Sequence, residues 1–130
     1  MKTIVLSGSA SLQKEISDIV NKLKKDYIIL DYPKPIEGEN FMRVYPKVHK
    51  EFYENLMNTD ILLLANFDKK GTIGYVGASG FAELNFAITQ NFLYNKNIEL
   101  YILQMPSDNV WCYDEIKLWL DLGWVKIWNK

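Results

Sequence analysis

Glu83 is the residue whose type and setting best suit chemistry in this chain. It ends the stretch Gly74-Tyr75-Val76-Gly77-Ala78-Ser79-Gly80-Phe81-Ala82-Glu83, which follows the strand-like run Asp60-Ile61-Leu62-Leu63-Leu64-Ala65-Asn66. A strand, a glycine-rich loop and a helix carrying a carboxylate in its first turn form a small-molecule site in open α/β sheets. Glycines admit close backbone approach, and a helix N-terminus favours negative charge. The plainer reading makes Gly80 the N-cap and Glu83 the third helical residue, complementing the helix dipole. Helical spacing then sets Phe81, Leu84, Ile88 and Phe92 on one face and Glu83 and Gln90 on the other, so Glu83 need not be buried.

Two further segments carry polar groups at strand ends. Ser7-Gly8-Ser9-Ala10-Ser11 joins a strand to a helix. Its amides and hydroxyls suit a phosphate or sugar oxygen, or else form a tight turn with a serine cap. Asn66-Phe67-Asp68-Lys69-Lys70-Gly71 offers Asn66 and Asp68 to a ligand, or forms a polar turn. The dinucleotide glycine fingerprint, the P-loop pattern and a flavin-phosphate loop are all missing, so no cofactor is expected. Cys112 and His49 are the only cysteine and histidine, which argues against a zinc site. His49 sits in a charged stretch and reads as solvated.

The elements that must position these groups alternate. Residues 3–6, 27–30, 60–66 and 99–104 read as strands. Helical spacing covers Leu12 to Leu23, residues 48–58, 79–94 and 114–122. The segment Asp31 to Lys47, with Pro33, Pro35, Pro46 and a Gly-Glu-Asn signal, reads as a loop on the ligand rim, a mobile specificity element. The order βαβαβαβα predicts a doubly wound parallel sheet, a Rossmann-like or flavodoxin-like three-layer α/β sandwich, in a single domain over 1–130. Asp60, at the start of its strand, falls on the rim opposite the ligand.

With 130 residues, 48% of them hydrophobic, the chain can bury a substantial core. Its formal charge of −1 gives no case for nucleic acid or an anionic membrane surface. A lone cysteine and no transmembrane-length run or signal peptide point to the cytoplasm.

The run Asp60 to Asn66, then Asp68-Lys69, Gly74-Tyr75-Val76-Gly77, Phe81-Ala82-Glu83-Leu84 and Phe86-Ala87 resembles the core of the nucleoside 2-deoxyribosyltransferase-like superfamily. The opening Ile4 to Ser9, the later Ile98 to Leu103 and Asp114-Glu115-Ile116 fit it too. The likeness spans most of the chain and is nearest to a small bacterial and archaeal branch.

It implies cleavage of a nucleoside or nucleotide N-glycosidic bond, by hydrolysis or transfer, with Glu83 as nucleophile. Asp68 is then the candidate for the leaving base. Ser7, Gly8, Ser9, Asn66, Tyr75, Gly77, Ser79, Gly80 and Arg43 are the expected substrate contacts, Arg43 as a phosphate reader. A homodimer or higher homo-oligomer is implied as well, with Tyr113 to Trp128 as a candidate interface. Trp111, Trp119, Trp124 and Trp128 read either as core or as that contact. The pattern departs at Phe52, where such enzymes carry an aspartate, and at Leu6 and Ser7, where a tyrosine is usual. The rival reading is a nucleotide-binding sensor or accessory module without turnover.

Overall fold

In the computed structural model, which describes residues 1–130, Ile61-Leu62-Leu63-Leu64 forms the central strand β3, buried along its whole length. Only a strand covered on both faces and paired on both edges can be apolar throughout. β1 (Thr3–Ser7) pairs with it on one side and β4 (Glu99–Ile102) on the other, both parallel. β2 (Ile28–Asp31) lies outside β1, and β5 (Lys126–Ile127) outside β4. The order β2-β1-β3-β4-β5 is that of a flavodoxin-like sheet, and the chain forms the expected α/β sandwich.

Strand pleating divides the core. Val5, Leu62, Leu64, Leu100 and Ile102 face one layer, packed by α2 (Phe41–Met57), α3 (Ala78–Tyr94) and α4 (Tyr113–Asp121). Ile4, Leu6, Ile61, Leu63 and Tyr101 face the other, covered by α1 (Gln13–Leu23). Trp128 extends that cover beside α1, its ring 5.7 Å from Tyr27 and 5.0 Å from Tyr101.

Three expectations are corrected. The loop proposed for Asp31 to Lys47 ends early: Gly38–Asn40 forms a 3₁₀ turn and α2 begins at Phe41, with Pro46 inside it. A proline there leaves the Met42 carbonyl unbonded, and Met42 is 83% exposed, so water can take that carbonyl. The i,i+4 ladder Phe41, Tyr45, His49 and Tyr53, with ring centroids 4.8–5.6 Å apart, supports the helix through its proline.

Second, α3 starts at Ala78 with Gly77 as N-cap, so Glu83 lies in the second turn and caps nothing. Asn95, in the left-handed conformation, ends the helix. Third, β5 was not expected; two exposed residues on a sheet edge leave little periodic signal. Asp60 does lie at the opposite rim, where Oδ2 accepts from the amide and hydroxyl of Thr3. No helix is long and apolar enough to cross a membrane.

Candidate active site

The carboxyl ends of β1, β2 and β3 open into a cleft of about 940 Å³. It stands at the β1/β3 switch point, where the sheet winds in opposite directions and helices diverge. Its floor includes Gly8, Leu64 and Ala65. Ser9 and Tyr32 to Glu37 stand at its sides, the exposed flank of α2 forms one wall, and Tyr75, Gly77 to Gly80 and Glu83 form the other.

Glu83 is brought inward by what precedes it. Gly80, one turn earlier, is buried, and a Cβ built on it would lie 2.9 Å from Leu64 Cδ1 and 3.6 Å from Ser7 Oγ. Its bare backbone lets α3 lie against β1 and β3, and Glu83 follows on the same side. The side chain is part-buried, against the expectation of an open helix face.

Ser7, wholly buried, turns its hydroxyl the same way and donates to Glu83 Oε1. A buried hydroxyl needs a partner, and this carboxylate supplies one. Burial pushes the Glu83 carboxyl up to about 7, partly opposed by the Ser7 hydrogen bond and reinforced by the negative charge of Asp31. Desolvation outweighs the hydrogen bond and any pull of the helix terminus. Burial, and then the charge of Glu83, raise the Tyr53 phenol on α2 above its ordinary value.

The other expected residues divide into those at the cleft and those behind it. Gly8, Ser9, Tyr75, Gly77, Ser79 and Gly80 line it with Glu83. Ser7 lies beneath, with its hydroxyl committed to Glu83. Asn66 is buried outside the cleft. Its Nδ2 donates to the carbonyls of Gln104 (2.8 Å) and Gly74 (3.4 Å), and its Oδ1 accepts from the amides of Leu103 and Gln104. That set fills its valences and ties the end of β3 to that of β4. Asp68 does not line the cleft either; its Oδ1 accepts from the Gly74 amide (3.0 Å) and Gln104 Nε2 (2.9 Å). Arg43 is exposed on α2, donating to Asn40 Oδ1 at 2.7 Å, and is not a cleft residue.

Two groups at the cleft had no assigned role in the sequence reading. Lys69 Nζ donates to Ser9 Oγ at 2.8 Å and lies 5.2 Å from the Tyr75 ring centroid. Asp31, at the end of β2, accepts from Asn55 Nδ2 of α2 at 3.0 Å and from the Tyr32 amide at 2.8 Å. Both follow from a general signal: polar residues at the carboxyl ends of parallel strands converge on one rim. No group of three or more His, Cys, Asp or Glu side chains is arranged to hold a metal ion.

The arrangement presents one carboxyl, raised by burial to about 7 and fixed at one oxygen, to a cleft of ligand size with aromatic walls. Such a group can act as an anionic nucleophile or as a proton donor near neutrality. A scan against protein-family models and a search of curated proteins find no match for this chain.

Proposed function

We propose that this domain cleaves the N-glycosidic bond of a nucleoside or nucleotide through Glu83. The observation that carries the reading is a desolvated carboxyl, buttressed by Ser7 at Oε1, on the wall of the cleft at the β1/β3 switch point. The sequence resemblance, which implies Glu83 as nucleophile, supports it too. Oε1 is engaged by the protein, which leaves Oε2 for the substrate.

In the ionised form, Glu83 attacks the anomeric carbon and forms a glycosyl ester as the C–N bond breaks. The bonding pair leaves with the base, which takes up a proton. Water then attacks the ester, giving the free sugar and restoring the carboxylate, its surplus proton passing to solvent. A second base in place of water would make the domain a transferase.

The test is base release from nucleosides and 5′-monophosphates, followed by chromatography. Wild-type protein should release free base, and Glu83→Gln should lose activity by several orders of magnitude while staying folded, with a melting temperature at neutral pH no lower than that of wild type. Near-wild-type release by the variant would sink the nucleophile role. Ligand binding without release by the wild type would assign a binding module instead.

We further propose a cytoplasmic homodimer. Phe92, Leu93, Leu118, Leu122 and Trp124, each 40% exposed or more, give apolar surface at the end of α3 and along α4. Trp111 is 62% exposed, whereas Trp119 is core. Light scattering at micromolar concentration should give twice the 15.2 kDa chain mass, and a monomer would refute this assembly.

A further inference from the structure

Glycosidic chemistry commonly pairs two carboxyl groups across the scissile bond. Glu83 is one. Asp31, Glu37 and Glu51 are the other acids on the cleft. Glu37 is exposed, and Glu51 is 55% exposed at its side chain with Lys47 3.9 Å away. Asp31 differs from both. Its side chain is 16% exposed, Oδ1 is held by the Tyr32 amide and Oδ2 by Asn55. It is close enough to Glu83 for its charge to act on that carboxyl. A carboxylate oxygen accepts two hydrogen bonds, so each oxygen of Asp31 keeps one acceptor direction beyond those contacts.

The charge around it sets what those directions can accept. The cleft carries Asp31, Glu37, Glu51 and Glu83 against Lys34 and Lys69, with no arginine. Lys34 stands 3.7 Å from Asp31, and Lys69 is directed to Ser9 and Tyr75. A phosphate would meet excess negative charge in a partly desolvated site, and a hydroxyl or N–H would meet a fixed acceptor.

From this geometry we infer that Asp31 is a substrate-binding residue, clamped by Asn55, that accepts hydrogen bonds from a ligand's hydroxyls and selects neutral glycosides over phosphorylated ones. The inference deepens the proposed activity and rests on it for the ligand class. Asn55 acts through Asp31 and is a positioning residue. Ser7 on β1 and Asp31 at the end of β2 act on the Glu83 carboxyl, and Tyr53 on α2 feels its charge; the other titratable groups on the cleft are Tyr32, Lys34 and Glu37 after β2, Tyr45, His49 and Glu51 on α2, and Lys69 and Tyr75 before α3.

The experiment is calorimetric binding of adenosine and adenosine 5′-monophosphate to wild type, Asp31→Asn and Asn55→Ala. It is paired with an NMR pH titration of the Glu83 carboxyl carbon in each. Wild type should bind adenosine more tightly than its monophosphate. Asp31→Asn should weaken adenosine by about tenfold, as expected for one lost hydrogen bond to a charged group, and erase the preference. The Glu83 midpoint should fall in that variant, because a like charge has gone.

Asn55→Ala should weaken adenosine yet leave the Glu83 midpoint near wild type, since the charge stays. It also serves if Asp31→Asn does not fold. Tighter binding of the monophosphate by wild type, no binding of either probe, or unchanged adenosine affinity in the folded variants would overturn the inference. None of these measurements needs turnover, so loss of the glycosidase reading alone is a separate, recognisable result.

Discussion

Ser7 and Glu83 meet across the interface of β1 and α3, the serine hydroxyl donating to Oε1 of a carboxyl that burial has raised to about 7. The hydrogen bond opposes burial by favouring the anion. Ser7→Ala should therefore move the Glu83 midpoint upward. A bond to a charged group contributes about 1.5 kcal/mol or more, so the midpoint should rise by roughly one pH unit. The rise of kcat on the acidic limb of the pH profile, which reports ionisation of Glu83, should shift by the same amount. A midpoint that stays in place would show that Ser7 does not stabilise the ionised form.

Glu83 also makes folding depend on pH. Its folded value lies above its unfolded value near 4.5, so the native state holds the proton more tightly. The stabilisation is complete below about pH 4.5 and is lost as pH rises through about 7, a change of ~3 kcal/mol by linkage. Denaturant midpoints for wild type should therefore decline over this window relative to Glu83→Gln, which has no such proton. Parallel curves for the two proteins would contradict the burial of the carboxyl.

Gly74 takes φ +65°, and a Cβ there would stand 2.7 Å from Pro106 Cα and 3.0 Å from the Met105 carbonyl oxygen. Both obstacles are backbone and cannot rotate aside. Gly74→Ala should cost about 2–4 kcal/mol in chemical denaturation, from left-handed strain and overpacking together. A loss under ~1 kcal/mol would mean the two loops part easily.

Gln90 on α3 is buried with Oε1 lacking a hydrogen-bond partner. An unsatisfied buried acceptor costs about 1–3 kcal/mol. Gln90→Leu, similar in reach and better at forming helix, should raise stability by about 1 kcal/mol. Thermal melting at fixed pH measures it, and a lowered melting temperature would show that the amide has a role.

The sheet was legible because four apolar runs, each ended by polar or turn residues, can pair only in a covered parallel sheet. The start of α2 was not, because Pro46 and Gly38-Glu39-Asn40 read locally as loop. Its support is an aromatic ladder whose i,i+4 spacing is visible only once a helix is assumed. Glu83 was found by type and place, but its burial was missed. Leu84, Ala87 and Ile88 define the buried stripe, and the clue to its width was Gly80, too small to hold α3 off the sheet. Asn66 and Asp68 looked like ligand contacts because polar residues at a strand end can serve either loop or ligand. Hydrogen bonds to Gln104, some forty positions on, decide for the loop, and no local pattern encodes them.

The close approach of Gly74 to Pro106 makes the two sides of the cleft mechanically unequal. On one side, the connection before α3 is fastened to the connection after β4 through Asn66, Asp68 and Gln104. Two further bonds add to this, from the Ser107 amide to the Ile73 carbonyl and from Trp111 Nε1 to the Val76 carbonyl. On the other side, the span from Pro33 to Glu37 is held by Gln13 Nε2 on the Pro33 carbonyl at 3.4 Å, by the Asn40 amide on the Glu37 carbonyl at 3.1 Å and by the Lys34–Asp31 pair at 3.7 Å, none of which reaches the opposite wall. One jaw of the cleft is thus braced more heavily than the other. Glu83 and Tyr75 stand on the braced side, so a bound ligand is expected to leave them in place and to shift the proline-rich side instead.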